Sequence, residues 1–236
     1  MKRILLMILR LIVFVPYWFY KIIKYQNVTK YNEITRYAFL RHVTTKANKA
    51  GNVKIECHGT DNLPKENGYI MFPNHQGLFD SLAFFETHER PFSIVLKKEL
   101  NKNFFLKRII ILLQAQIIDR EDIRQSMKVI MKMTEEVKEG RNYIIFAEGT
   151  RTREKNKILE FKGGSFKSAI NAKCPIVPVA LLDSYKAFDT NSIKKVTVQI
   201  HYLKPLYYED YQNMTSKEIA NYVQSEIKST IEKNER

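Results

Sequence analysis

Cysteine is scarce in this chain of 236 residues, and the two that occur, Cys57 and Cys174, lie far apart in the sequence. There is no CxxC pair, so neither a disulfide framework nor a zinc ribbon is predicted. We expect no bound metal. This cysteine usage is typical of proteins in a reducing compartment.

Acidic residues are also few: Lys and Arg total 39 against 25 Asp and Glu, which gives a formal net charge of +14. A charge this large attracts anionic surfaces such as anionic lipid, nucleic acid or an acidic carrier protein. We find no recognised nucleic-acid-binding motif, and we expect no nucleic acid partner. A non-enzymatic basic module that docks on anionic membranes or nucleic acid is an alternative that the charge alone supports.

Long unbroken apolar runs are absent as well. Residues 4–20 are almost wholly apolar, but Arg10 interrupts this stretch and Pro16 should bend it. Because about 20 apolar residues are needed to span a bilayer, we predict a helix that lies in the membrane interface with its apolar side among acyl chains. The cations expected among the lipid phosphates flank this helix: Lys2, Arg3, Lys21 and Lys24.

The apolar stretch sets the expected domain organisation. Residues 1–50 would form an N-terminal membrane-associating helical segment, with a polar helix over residues 30–49, and residues 51–236 would form one globular domain. The protein would then be monotopic or interfacial, on the cytoplasmic face of a membrane. A signal peptide is the competing interpretation, but no small-x-small cleavage site follows the apolar run.

Beyond residue 50, short apolar runs rich in β-branched residues alternate with helical patterns. This alternation predicts an α/β fold in which a mixed sheet is covered by helices. The predicted strands are residues 53–57, 69–72, 92–96, 116–118, 143–146, 176–181 and 196–202. The predicted helices are residues 80–88, 103–113, 122–139 and 164–172, and a last helix that opens at the capping box of Thr215 and Glu218.

Two ionisable residues follow the predicted strand at 69–72: His75 in the loop and Asp80 in the first turn of the next helix. Folds of the α/β class place reactive side chains at such junctions. Asp80 would accept a hydrogen bond from one imidazole nitrogen and leave the other nitrogen free to act as a general base. The alternative is a capping Asp beside a surface His.

A second junction between a strand and a loop lies at residues 146–151 and offers Gly149 and Arg151. Glycine lets the backbone approach a ligand closely, and the planar guanidinium suits a phosphate. An ordinary turn with a solvated Arg is the alternative. A covalent serine hydrolase is not predicted, because residues 163–167 lack the second glycine of a G-x-S-x-G elbow.

These two junctions, in this order, resemble the lysophosphatidic acid acyltransferase family, also called the 1-acylglycerol-3-phosphate acyltransferases. The resemblance covers residues 73–182 and rests on four blocks. Asn74-His75 with Asp80 resembles the NHx4D block, residues 117–120 (Ile-Ile-Asp-Arg) the second block, residues 146–151 the F-P-E-G-T-R block, and residues 175–179 the fourth, apolar block.

The resemblance implies a reaction and the residues that carry it out. An acyl group would pass from a thioester of acyl carrier protein or coenzyme A to the free hydroxyl of 1-acyl-sn-glycerol-3-phosphate, giving phosphatidic acid without a further cofactor. His75 would be the base and Asp80 its orienting partner. The residues expected to bind the lysophospholipid acceptor are Asn74, Lys97, Arg120, Glu148, Gly149, Thr150 and Arg151. We also expect backbone N–H groups near Gly77 to stabilise the oxyanion.

Departures from the family pattern concern the acceptor more than the chemistry. Ala147 replaces the usual proline of the third block, and Gln114 and Ile117 stand where the second block usually has glycine and phenylalanine. Glycerol-3-phosphate or another lysophospholipid is therefore an alternative acceptor. For Arg120 the alternative role is a salt bridge at a helix start, and for Lys97 it is a solvated strand end.

Residues 104–113 form an unusually apolar run that contains Lys107 and Arg108. A core helix is the simpler interpretation of this run. The alternative is that part of it contacts lipid or lines an acyl channel.

Overall fold

Seven strands form one sheet in the computed structural model, which describes residues 2–235. In chain order they are β1 (Val53–His58), β2 (Ile70–Pro73), β3 (Phe92–Lys97), β4 (Gln116–Ile118), β5 (Asn142–Ile144), β6 (Ile176–Leu182) and β7 (Val196–Tyr202). β-Branched and aromatic side chains fill these strands, as a buried pleated surface favours. Each predicted strand is confirmed, with its ends displaced by two residues or fewer.

The sheet order is β1-β7-β6-β2-β5-β3-β4. Strands β6, β2, β5, β3 and β4 run parallel to one another, whereas β7 runs antiparallel to β6 and parallel to β1. The sheet is therefore mixed, as predicted. The carboxyl ends of the five parallel strands meet at one edge, which is where open α/β sheets bind ligands.

Helices cover both faces of the sheet. They are α1 (Lys2–Arg10), α2 (Val15–Lys24), α3 (Glu33–Ala50), α4 (Asp80–Thr87), α5 (Phe104–Leu113), α6 (Ile123–Lys138), α7 (Lys167–Ala172), α8 (Tyr185–Phe188), α9 (Tyr208–Tyr211) and α10 (Ser216–Asn234). Helices α1 to α5 and α8 contribute to one core, and α6, α7, α9 and α10 contribute to the other. Successive strand residues point to opposite faces, so Met71 belongs to the first core and Phe72 to the second.

Side-chain caps start several helices where the sequence predicts them. The Asn103, Asp122 and Thr215 side chains accept backbone N–H bonds at the starts of α5, α6 and α10. Such caps satisfy donors that a helix leaves unpaired in its first turn. The helix predicted from residue 164 begins later, because Gly163–Phe166 forms a 3₁₀ turn before α7.

The N-terminal apolar stretch differs from the single bent helix that we predicted. Its two helices, α1 and α2, are bent by 94° at a break between them. Pro16 lies in the first turn of α2, where its missing N–H costs no helical hydrogen bond. Within residues 2–235 no single helix has the length and apolar composition to cross a bilayer, although α1 and α2 together do.

The expected position of Arg3 among lipid phosphates is wrong. Its side chain is buried, and the guanidinium donates to three backbone carbonyls: Ala187 O at 2.8 Å, Gly51 O at 2.5 Å and Lys194 O at 2.9 Å. Burial lowers the pKa of the Arg3 guanidinium. A buried charge needs such a set of partners, so Arg3 fastens α1 to the globular domain.

Replacing Arg3 tests this attachment. We expect Arg3→Ala to lower the free energy of unfolding by about 2 to 3 kcal/mol, because three carbonyls lose a charged donor together. The control is Lys2→Ala, since Lys2 is exposed and should change stability by about 0.5 kcal/mol or less. Urea unfolding measures both variants, and equal midpoints would contradict the structural role of Arg3.

Candidate active site

The loop between β2 and α4 brings His75 and Asp80 together. The Nδ1 atom of His75 lies 2.7 Å from Oδ2 of Asp80. The Asp80 carboxylate is fully buried, whereas the His75 side chain is 24% exposed. Asp80 is therefore not simply a helix cap, because its buried carboxylate contacts the imidazole of His75. His75 is likewise not an isolated surface histidine.

Asp80 also fixes the shape of its own loop. Its Oδ2 atom accepts the backbone N–H groups of Gln76 at 2.7 Å and Gly77 at 3.0 Å. Its Oδ1 atom accepts the Ser184 hydroxyl at 2.5 Å. The N–H groups of Gln76 and Gly77 therefore point at Asp80, so neither of these two is a free donor for the oxyanion expected near Gly77.

The other ring nitrogen of His75 is available for chemistry. Among residues 2–235, Nε2 of His75 has no hydrogen-bond partner. The imidazole stacks on the Phe146 ring with a centroid distance of 4.1 Å, which limits its rotation. With Nδ1–H directed at the Asp80 carboxylate, the Nε2 lone pair can accept a proton.

Glu148 joins the second loop to the first. Its Oε1 atom accepts the N–H of His75 at 2.6 Å, and its Oε2 atom accepts the N–H of Leu159 at 3.1 Å. Burial raises the pKa of Glu148 to about 7, against the lowering effect of these two bonds. The N–H of Thr152 in turn donates to the His75 carbonyl at 2.9 Å. Both oxygens of Glu148 are thus used inside the protein.

Gly149 permits a close approach of two cations to this loop. Its φ is 78°, and a Cβ at this position would lie 3.0 Å from Nη1 of Arg120 and 3.3 Å from Nζ of Lys162. Nη1 of Arg120 donates to the Gly149 carbonyl. Any larger residue would be strained by the positive φ and would push both cations away.

Arg151 lies at the rim of the site and forms an ion pair with the Asp189 carboxylate. Its Nη1 atom lies 3.3 Å from both Oδ1 and Oδ2 of Asp189, and each side chain is 42% exposed. Oδ2 of Asp189 also lies 3.3 Å from the position that a Cβ would take at Gly77. Asp189 therefore lies between the loop that contains Gly77 and the loop that contains Arg151.

The remaining predicted acceptor-binding residues occupy different environments. Asn74 is fully buried and exchanges two hydrogen bonds with the backbone of Leu181. Thr150 is exposed. Lys97 lines a cavity of about 200 Å³ together with Arg120, whereas the neighbouring Lys98 is paired with Asp119 at 2.7 Å.

Sequence reasoning missed Ser184, Lys162 and Asp189. Ser184 follows the carboxyl end of β6 closely, so the rule that located His75 could also have found it. Lys162 and Asp189 lie in irregular segments, and their proximity to the site depends on contacts between residues distant in sequence. No motif or periodicity marks them.

Comparison with known proteins agrees with this architecture. The family described as Acyltransferase matches residues 54–182. A Borreliella burgdorferi protein named 1-acyl-sn-glycerol-3-phosphate acyltransferase is 33% identical over 151 residues, 63% of this chain and 60% of its own length. The Escherichia coli protein of the same name is 27% identical over 198 residues, 81% of this chain and 80% of its own length.

A solved structure shares the whole fold. The 1-acyl-sn-glycerophosphate acyltransferase from Thermotoga maritima superposes with a TM-score of 0.78 and 21% sequence identity, over 98% of this chain and 96% of that one. With the family match over residues 54–182, this chain belongs to the acyltransferase family.

Proposed function

We propose that this protein transfers an acyl group from a thioester to the free hydroxyl of 1-acyl-sn-glycerol-3-phosphate and so makes phosphatidic acid. The observation that carries the proposal is the 2.7 Å contact between His75 and the buried Asp80, beside a loop that presents Arg151. A base and a phosphate-binding cation lie on adjacent loops, as an acceptor with both a hydroxyl and a phosphate requires. The names of the relatives agree with this acceptor.

The reaction follows from the orientation of the imidazole. Nε2 of His75 removes the proton from the acceptor hydroxyl as its oxygen attacks the thioester carbonyl. The tetrahedral intermediate collapses, the thiolate leaves, and the imidazolium returns its proton to the sulfur. Asp80 keeps the proton on Nδ1 and stabilises the imidazolium charge. The transfer needs no covalent enzyme intermediate and no cofactor, and acyl carrier protein or coenzyme A would supply the thioester.

Acceptor binding divides between direct and indirect roles. We assign direct phosphate contact to Arg151, with Lys97 and Arg120 at the neighbouring cavity, and expect Thr150 at the exposed rim. Asn74, Glu148 and Gly149 act indirectly, because their polar groups bond within the protein or hold Arg120 in place. Holding the hydroxyl at the base is itself a large source of rate, up to about 7 to 11 kcal/mol.

The N-terminal helices support attachment to a membrane surface. An exposed apolar face follows α1, the break after it and α2, and it includes Leu9, Val13 and Phe14, which are 58%, 82% and 53% exposed. The Phe19 ring lies 6.3 Å from that of Phe104, so the exposed end of α5 continues this face. The inner side of α5 is buried core. We propose that this face lies in the headgroup region of a bilayer, on its cytoplasmic side, with Lys21 and Lys24 near the lipid phosphates.

Removing the base tests the chemistry. We expect His75→Ala to lower kcat by roughly a hundredfold to ten thousandfold, with thermal unfolding little changed because Asp80 retains three other donors. The measurement is phosphatidic acid formed from lysophosphatidate, scored by product mass. The control is His58→Ala, an exposed histidine on β1. Ordinary turnover by a folded His75→Ala protein would refute the mechanism.

The ion pair between Arg151 and Asp189 predicts opposite changes in KM for lysophosphatidate when one or the other residue is replaced. Arg151→Ala should raise KM for lysophosphatidate roughly tenfold to a hundredfold. Asp189→Asn should lower it by roughly two- to fivefold, since it frees the guanidinium and removes a like charge from the incoming phosphate. Monoacylglycerol lacks the phosphate, so neither variant should change its KM. A panel that includes glycerol-3-phosphate identifies the acceptor, and equal effects on charged and uncharged acceptors would exclude Arg151 as the phosphate contact.

Vesicle binding tests the membrane face. We expect Val13→Asp to reduce pelleting with anionic phospholipid vesicles by roughly tenfold, because it places a charge where an apolar side chain would be buried. Tyr222→Asp is the control, since Tyr222 is 45% exposed on α10, on the other side of the sheet. If both variants pellet like the wild type, the membrane lies elsewhere.

A further inference from the structure

Helix α6 has an exposed face that the proposed reaction does not use. Ile123, Met127 and Met131 are 77%, 44% and 63% exposed. They repeat every four residues, so they lie along one side of the helix. Each of these apolar residues is followed by an exposed basic residue: Arg124, Lys128 and Lys132, respectively. We call these six residues the α6 stripe.

The stripe is additional to the face that holds α6 on the domain. Val129, Met133 and Val137 of the same helix are buried in the second core. The helix would therefore be stable with polar residues at the outer positions. Three large apolar side chains left in water beside a row of cations are typical of a surface that another molecule covers.

The position of the stripe distinguishes it from the proposed membrane face. Helices α1 and α2 pack into the first core and α6 into the second, on the opposite side of the sheet. Helix α6 begins at Ile123, three residues after Arg120, which lines the cavity at Lys97. The stripe thus begins next to the candidate active site and lies on the face of the sheet opposite to α1 and α2.

The charge of the stripe indicates the partner. Within residues 2–235, Arg124 and Lys128 form no ion pair, and Lys132 lies 3.7 Å from Glu136. From Ile123 to Met131 the stripe extends about 12 Å at 1.5 Å per residue. A row of exposed apolar side chains of that length suits the side of a partner helix. The unpaired cations complement an acidic surface, and methionine adapts to a partner's side chains.

We propose that the α6 stripe docks an acidic acyl carrier protein, which presents its acyl thioester to the site that begins at Arg120. This inference rests on the proposed function and specifies its donor. The carrier's acidic helix contacts Arg124 and Lys128, and its apolar side chains cover Met127 and Met131.

The test compares two donors that carry the same acyl chain, one on acyl carrier protein and one on coenzyme A, with lysophosphatidate as acceptor. Arg124→Glu with Lys128→Glu should lower kcat/KM for the carrier-bound donor by roughly tenfold or more and change that for acyl-coenzyme A little. Met127→Ser with Met131→Ser should give the same selective loss without a change in charge. Lys228→Glu with Lys233→Glu is the matched control, because both lysines are exposed on α10.

Each other outcome counts against the docking site. Equal losses with both donors, an equal loss in the α10 control, or no loss at all would overturn it. Reduced pelleting of the α6 variants with anionic vesicles would identify the stripe as a membrane contact instead. A wild-type enzyme that uses only acyl-coenzyme A would overturn the docking proposal and leave the proposed function intact. One that uses neither donor would overturn both.

Discussion

The buried carboxylate of Asp80 is the constraint on which the site depends. A carboxylate removed from water must find donors inside the protein. Asp80 finds four: His75, the N–H groups of Gln76 and Gly77, and the Ser184 hydroxyl. These bonds determine the path of the loop and the direction of the imidazole together. The histidine is therefore oriented by the same interactions that allow the carboxylate to be buried.

The two loops of the site form one unit because each supplies what the other lacks. The loop after β2 has a backbone N–H at His75, and the loop after β5 offers the Glu148 carboxylate that accepts it. The parallel order of β6, β2 and β5 places these loops side by side with Ser184. Arg120, which follows the end strand β4, reaches across to the Gly149 carbonyl. Sheet topology thus brings together residues that are up to 109 positions apart in sequence (75 to 184).

Local patterns predicted the strands, most helices and the principal motifs, because apolar runs and caps act over a few residues. The pairing of His75 with Asp80 was also predictable, since they are five positions apart. The bond from Ser184 to Asp80 joins residues 104 positions apart, and the three bonds of Arg3 span 48 to 191 positions. No local pattern encodes these contacts.

The contacts of Arg3 link two regions that the sequence places at opposite ends. Its Nε–H bond to Ala187 ties α1 to the short helix α8, which lies between Ser184 and Asp189. Those two residues support Asp80 and Arg151 respectively. In the membrane attachment proposed above, a force on α1 would therefore reach α8 through the Arg3 guanidinium. Binding to lipid and the geometry around His75 would then depend on the same contact.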